Sequence, residues 1–183
     1  MRDIKVLTVK NPYAFLILAG IKKYEIRSWS TKYRGPLYIH SAKVPVKEYD
    51  VNTVKGISRL QNNHISIDYM AMHGYILGKV DLVDIKKIGE DIPKPQAALD
   101  GCCTIDDNDK YAWVLHNPEI ASLTIPVQGK LGLWSLETDG DICKAQLFFE
   151  AELKFQFIAI EILGRITRLH YVGGVRAGGA NVR

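Results

Sequence analysis

Within residues 22–29 the chain places two lysines (Lys22, Lys23), a glutamate (Glu25), an arginine (Arg27) and a tryptophan (Trp29). An ammonium, a carboxylate and a guanidinium held together can grip an anion, polarise a carbonyl or move a proton. On a strand, residues two apart share a face, so Lys23, Glu25, Arg27 and Trp29 point one way and Lys22, Tyr24 and Ile26 the other. An edge strand guarded against aggregation carries a similar charged row. Three neighbours favour a groove: the basic loop with Lys32 and Arg34, the aromatic Trp29, and His40 and Ser41 ending the next strand. A metal centre is not expected. The five histidines (40, 64, 73, 116, 170) show no HxH or HxxxH spacing, and Cys102, Cys103 and Cys143 form no CxxC knuckle. The aspartates at 100, 106, 107 and 109 lack the glycine and terminal glutamate of a calcium loop and read as a solvated turn. No cofactor is implied.

The elements that must position these groups are punctuated clearly. Asn11 can cap a helix over Pro12–Ala19, and Gly20 can end it in the left-handed region. Strands are expected at Ile4–Val9, Lys22–Trp29, Leu37–Ser41, Tyr75–Ile85 and Tyr111–His116, the last stopped by Asn117-Pro118. Two short strands follow, at Leu123–Val127 and Gly129–Leu136. A second helix is expected from about Val46 to Leu60, broken near Gly56, and a short one at Tyr69–His73, while Lys86–Asp109 reads as loop. Short strands with few helices indicate an α+β or small-barrel architecture, without the regular βαβ alternation of a doubly wound fold.

Length and composition set the class. The 183 residues, 47% hydrophobic and 24% charged, suit one globular domain with room for an appendage. No apolar run reaches the roughly 20 residues needed to span a bilayer, and MRDIKVLTVK lacks a leader's apolar stretch. A cytoplasmic chain with reduced thiols is expected, with no membrane partner. The net charge of +4 is uneven: residues 1–50 carry +6 and residues 101–140 carry −4. The positive end holds the charged cluster, which suits an anionic partner such as nucleic acid.

The runs NPYA, GIKKYEIRSW and KYRGPLYIHSA, then ILGKVDLVDI at 76–85, and YAWVLHNP with IPVQGKLGLW at 111–134, resemble the ASCH domain. This is the activating-signal-cointegrator homology domain of the PUA-like superfamily. Its signature G-x-K-x-x-E-x-R is present as Gly20, Lys22, Glu25 and Arg27, and the likeness covers about residues 4–136. The resemblance implies a PUA-like small mixed β-barrel with flanking helices over residues 1–138. Residues 139–183 would form a divergent C-terminal extension with a glycine-rich end. It also implies a cleft lined by the lysine, glutamate and arginine, and so selects Lys22 where alternation selects Lys23.

Members of this family bind RNA or other nucleic acid, often as coactivator or RNA-processing modules. The resemblance therefore implies binding of RNA or a modified nucleotide or nucleoside through Lys22, Glu25 and Arg27, with Asn11 and His40 near the cleft by their place in the family motif. In such a module Arg27, Lys32 and Arg34 would meet phosphate, and Trp29 or Tyr33 offers a stacking face. A bacterial branch removes the acetyl group from 4-acetylcytidine with the signature lysine, a threonine three residues on and a glutamate on a later strand. Here Glu25 stands at the threonine position, and Tyr75–Ile85 offers Lys79 and Asp81 instead. Asn11 replaces the family's usual glutamine and keeps an amide. A metal-independent amidohydrolase with Lys22 and Glu25 as catalytic residues is the alternative. A third is a coactivator-like module that meets a protein partner through 139–183.

Overall fold

Ile4, Val6, Leu7 and Val9 are buried along the first strand, β1 (Arg2–Val9), and the rest of the fold is laid beside it. In a computed structural model, residues 2–60 and 70–138 are described, and nine elements run through them. After β1 come α1 (Tyr13–Leu18), β2 (Tyr24–Arg27), β3 (Gly35–Ser41) and α2 (Val51–Leu60). Then follow β4 (Tyr75–Lys87), α3 (Lys94–Gly101), β5 (Tyr111–Pro126) and β6 (Leu133–Thr138). The strands form one mixed sheet in the order β2-β5-β4-β3-β1-β6, with β1 and β3 parallel and the other pairs antiparallel. This is the α+β class expected from the sequence. The edge strands β2 and β6 are not paired with each other among the described residues, so hydrogen bonds do not close the sheet into a barrel. Among the described residues, no helix is long and apolar enough to cross a membrane.

Six residues cannot hold a helix in water by propensity alone, so α1 exists by burial. Ala14, Ile17 and Leu18 pack on the sheet against Leu7, Leu37, Ile39, Leu77 and Trp113. Phe15 and Leu16, on the other side, meet Leu60 of α2 and Cys102 after α3. Each large side chain buried in this way contributes roughly 1.5–3 kcal/mol. The helix is thus clamped between two layers, and whatever follows its C-terminus is held rigidly.

Several boundaries differ from the sequence reading, each for a local reason. Asn11 does not cap α1. Pro12 takes the cap position with no side-chain bond, and the Asn11 amide instead donates to the carbonyls of Met70 (3.1 Å) and Met72 (2.8 Å). The second helix begins at Val51, because Asp50 Oδ1 accepts the N–H groups of Asn52 and Thr53 and fixes its start there. It also runs unbroken through Gly56, where a Cβ would lie 3.0 Å from Cys102 Sγ. Lys86–Asp109 is not all loop, since it contains the end of β4 and the whole of α3. Asn117-Pro118 does not stop its strand. Asn117 takes a left-handed φ of 49°, and the register slips there so that Pro118 owes no ladder hydrogen bond. Leu123–Val127 therefore lies mostly within β5, and β6 starts only at Leu133, leaving Gly129–Gly132 as a loop. The extension 139–183, including Cys143 and the glycine-rich end, lies outside the described residues.

Candidate functional site

Gly20, at φ +72°, turns the chain out of α1, and the N–H groups of Ile21 and Lys22 both bond back to the Leu16 carbonyl. This tight return places Lys22 ahead of the strand, which starts at Tyr24. Alternation therefore does not govern residue 22. Lys22 is 2% exposed and turned inward, whereas Lys23 is exposed and its backbone N–H joins the Asp100 carbonyl of α3.

Lys22 Nζ donates to the carbonyl of Gly101, the last residue of α3. A cation is favoured there by the negative pole of the helix. The same ammonium lies 3.5 Å from Glu25 Oε2 and 5.0 Å from the centre of the Tyr13 ring. Glu25, 6% exposed, is shared: its other oxygen is 3.1 Å from the Arg27 guanidinium. Arg27 in turn donates to the Thr8 carbonyl at 2.9 Å. Thr8 belongs to β1, four places from β2 in the sheet order, so this bond spans the open side of a curled sheet. Tyr13 is fixed from behind. The Cys102 carbonyl can only accept, so Thr53 donates to it and the Tyr13 hydroxyl donates to Thr53. Burial pushes the Tyr13 phenol above its usual range, and the Thr53 bond only partly offsets that.

These groups line a cavity of about 420 Å³, within the roughly 300–1,000 Å³ usual for small-ligand sites. Lys22, Glu25, Arg27 and Tyr13 are joined in its lining by Lys10, Cys103, Asp109 and the loop Lys130–Gly132. Burial raises the Asp109 carboxyl above its ordinary value. The Asp106 backbone N–H and Lys22 oppose this, while the charges of Asp106 and Glu25 reinforce it. Burial likewise pushes the Cys103 thiol up to about 11, which leaves no thiolate for attack at neutral pH. The lining can therefore offer a largely buried ion triplet, with Arg27 its half-buried member, a carboxyl group and the lysines at the rim to a polar, anionic ligand. Among the described residues, no group of three or more histidine, cysteine or acidic side chains is arranged to hold a metal ion.

The sequence-predicted residues divide between this cavity and elsewhere. Lys22, Glu25 and Arg27 come together in it. Trp29 does not line it: its ring meets Trp113 edge-on at 4.7 Å, and its carbonyl accepts the Trp113 indole N–H. Arg34 turns back onto the carbonyls of Thr31 and Tyr33 and lies 3.7 Å from Asp84, and Lys32 is exposed beside it. Asn11 is committed to the 70–72 segment. His40 lines a neighbouring cavity, 1% exposed, with Nε2 against the Val127 carbonyl at 3.0 Å. Sequence reasoning missed Lys10, Tyr13, Asp109 and Lys130–Gly132 as lining groups. No local signal marks them: Gly129–Leu136 reads as a strand, and the aspartates at 106, 107 and 109 read as a solvated turn.

Comparison with known proteins agrees with the signature. The ASCH domain family matches residues 7–120. Human Activating signal cointegrator 1 is 28% identical over 138 residues, covering 72% of this chain and 22% of the relative. The mouse protein of the same name is 27% identical over the same length and shares. The chain thus spans about a fifth of the length of the curated relatives it matches.

Proposed function

The chain belongs to the ASCH domain family, and from that premise we propose that its cleft binds RNA by holding one nucleotide over the Lys22–Glu25–Arg27 floor. One observation carries this reading: an ion triplet with net positive charge, Lys22 and Glu25 buried and Arg27 half-buried, floors an open cavity whose rim carries Lys10 and Lys130. The triplet is already neutralised in part by Glu25, so it orients a ligand, while the rim lysines, exposed and screened, meet phosphate. Glu25 offers an acceptor to the donor edge of a base, and Tyr13 offers an aromatic wall. Closure of the curled sheet into a PUA-like barrel, with Arg27 bridging to β1, belongs to the same reading.

Binding to short RNA oligonucleotides at about 50 and 200 mM salt tests it. With two or three phosphate contacts, affinity is expected to fall by about 10-fold across that range. Absent or salt-independent binding would sink the reading.

A second reading, removal of an acyl group from a modified nucleoside such as 4-acetylcytidine, draws on one observation. Two carboxyl groups, Glu25 and Asp109, face the cleft that the lysine lines, and either could activate water. Against it, Lys22 Nζ is already engaged by a carbonyl, a carboxylate and the face of a ring, which holds it away from a ligand's carbonyl. Incubation with 4-acetylcytidine and detection of cytidine, with Lys22→Ala as control, separates the two. Contact with a protein partner, coactivator-like, rests only on the name of the relatives and would be sought through 139–183.

A further inference from the structure

A second cavity of about 270 Å³ adjoins the cleft and shares Thr8, Ala42, Lys130 and Leu131 with it. Thr8 serves both spaces: its carbonyl accepts Arg27, and its hydroxyl accepts the Trp134 indole N–H at 3.1 Å, which leaves the hydroxyl proton to offer. The floor of the second cavity is His40. Burial lowers its pKa, against the pull of the Val127 and Gly74 carbonyls, so the ring is neutral at physiological pH. The Val127 carbonyl can only accept, so the proton sits on Nε2 and Nδ1 carries a lone pair. That Nδ1 is buried and has no hydrogen-bond partner among the described residues. A buried acceptor without a donor is costly, and a ligand donor would relieve it.

Two further features keep this space open and charged. A Cβ at Gly129 would stand 2.5 Å from His40 Cε1, 2.8 Å from Nδ1 and 3.0 Å from Thr8 Oγ1, so any side chain there forces the His40 ring to shift. Lys43 and Lys130, both exposed, stand in its lining, and neither forms an ion pair among the described residues. Leu131, fully exposed on the shared wall, presents an apolar edge to both spaces. One exposed leucine is ordinary on a protein surface. Its place between two polar cavities makes it useful here.

We propose that the His40 cavity is a second nucleotide subsite, so that the chain binds two consecutive nucleotides and Lys130 meets the phosphodiester joining them. This rests on the nucleotide reading of the first cleft. The smaller space takes a base or a ribose rather than a whole nucleotide, with its donors toward His40 and Thr8. Leu131 packs between the two units.

The test compares ribonucleoside 5′-monophosphates with dinucleoside monophosphates, using the full chain and titration calorimetry. The best dinucleotide is expected to bind about 10-fold tighter than either of its mononucleotides. Gly129→Ala, which pushes the His40 ring out of place, and Lys43→Ala, which removes a cation that lines only the second space, should each lower that ratio toward one. A thermal melt checks that Gly129→Ala is folded; should it unfold, Lys43→Ala decides. A wild-type ratio near one, or a ratio that survives the deciding variants, overturns the second subsite while mononucleotide binding keeps the first. Absence of binding by both ligand classes overturns the nucleotide reading, and this inference with it.

Discussion

Lys22 and Arg27 hold their charges against a buried carboxylate, whereas Lys32 and Arg34, a few residues later, carry theirs in solvent. The first pair is fixed from several sides. Lys22 is bonded to the end of α3, Arg27 to β1, and both to Glu25. The second pair is fixed from one. Arg34 folds onto its own loop and reaches Asp84, whose side chain is 55% exposed, across 3.7 Å. Charge density along the chain is similar in the two stretches, so it does not distinguish a site from a solvated loop. What distinguishes them is desolvation matched by partners. A buried ion survives only where the fold supplies its hydrogen bonds, and those bonds fix its position for a ligand.

The sharpest way to break this contrast is to remove one carboxylate from each pair. Glu25→Ala leaves two cations facing each other with little water and is expected to cost about 3–5 kcal/mol of folding stability. Asp84→Ala removes an exposed ion-pair partner and the acceptor of the exposed Ile85 N–H, and should stay within about 1 kcal/mol. Denaturant unfolding of the two variants measures both. Equal costs would show that Glu25 is no more embedded than Asp84.

The same physics explains what could be read from residue order. Gly20, Lys22, Glu25 and Arg27 are close in the chain and form a local turn and strand, so the joint appearance of Lys22, Glu25 and Arg27 in one cavity followed from spacing and the family signature. The facing assigned by alternation failed at Lys22 because the strand begins two residues later than the charge pattern suggests. Trp29 was legible as aromatic, but its packing on Trp113 depends on β2 lying beside β5. Much of the remaining lining arrives from distant residues, 103 and 109 beyond α3 and 130–132 ahead of β6, brought in by tertiary packing that no local pattern encodes. Asn11 shows the limit from the other side. A residue suited to capping was taken by two carbonyls some sixty positions away, a choice that only the tertiary fold can make.

A smaller effect separates the two arginines in binding. Under the nucleotide reading, Arg27→Ala loses a positioned guanidinium and should weaken RNA binding about 10-fold, with Arg27→Lys recovering part of it. Arg34→Ala should change affinity by less than about twofold, the expectation for a screened charge outside the cleft. Fluorescence anisotropy on one oligonucleotide compares them directly. An Arg34→Ala loss as large as that of Arg27→Ala would move the binding face onto the 30–36 loop and reverse the contrast.

The smallest expected effect sets two aspartates against each other through pH. Asp109 stands in the lining of the cleft, its carboxyl raised chiefly by burial, with Asp106 and Glu25 adding to the shift and the Asp106 N–H and Lys22 opposing it. Asp84 is exposed and outside the cleft. An ionised Asp109 repels a bound phosphate, so the anion favours the protonated form and binding takes up part of a proton. Affinity should therefore rise as the pH falls through the raised Asp109 value, in a window starting above the ordinary aspartate range near 3.8. The gain is about two- to threefold, because the group is partly solvated. Asp109→Asn should bind at neutral pH as the wild type does in acid and should lose this slope, whereas Asp84→Asn should keep it. If wild type and Asp109→Asn share one pH profile, the carboxyl does not face the ligand. The cleft would then be read by its cations alone.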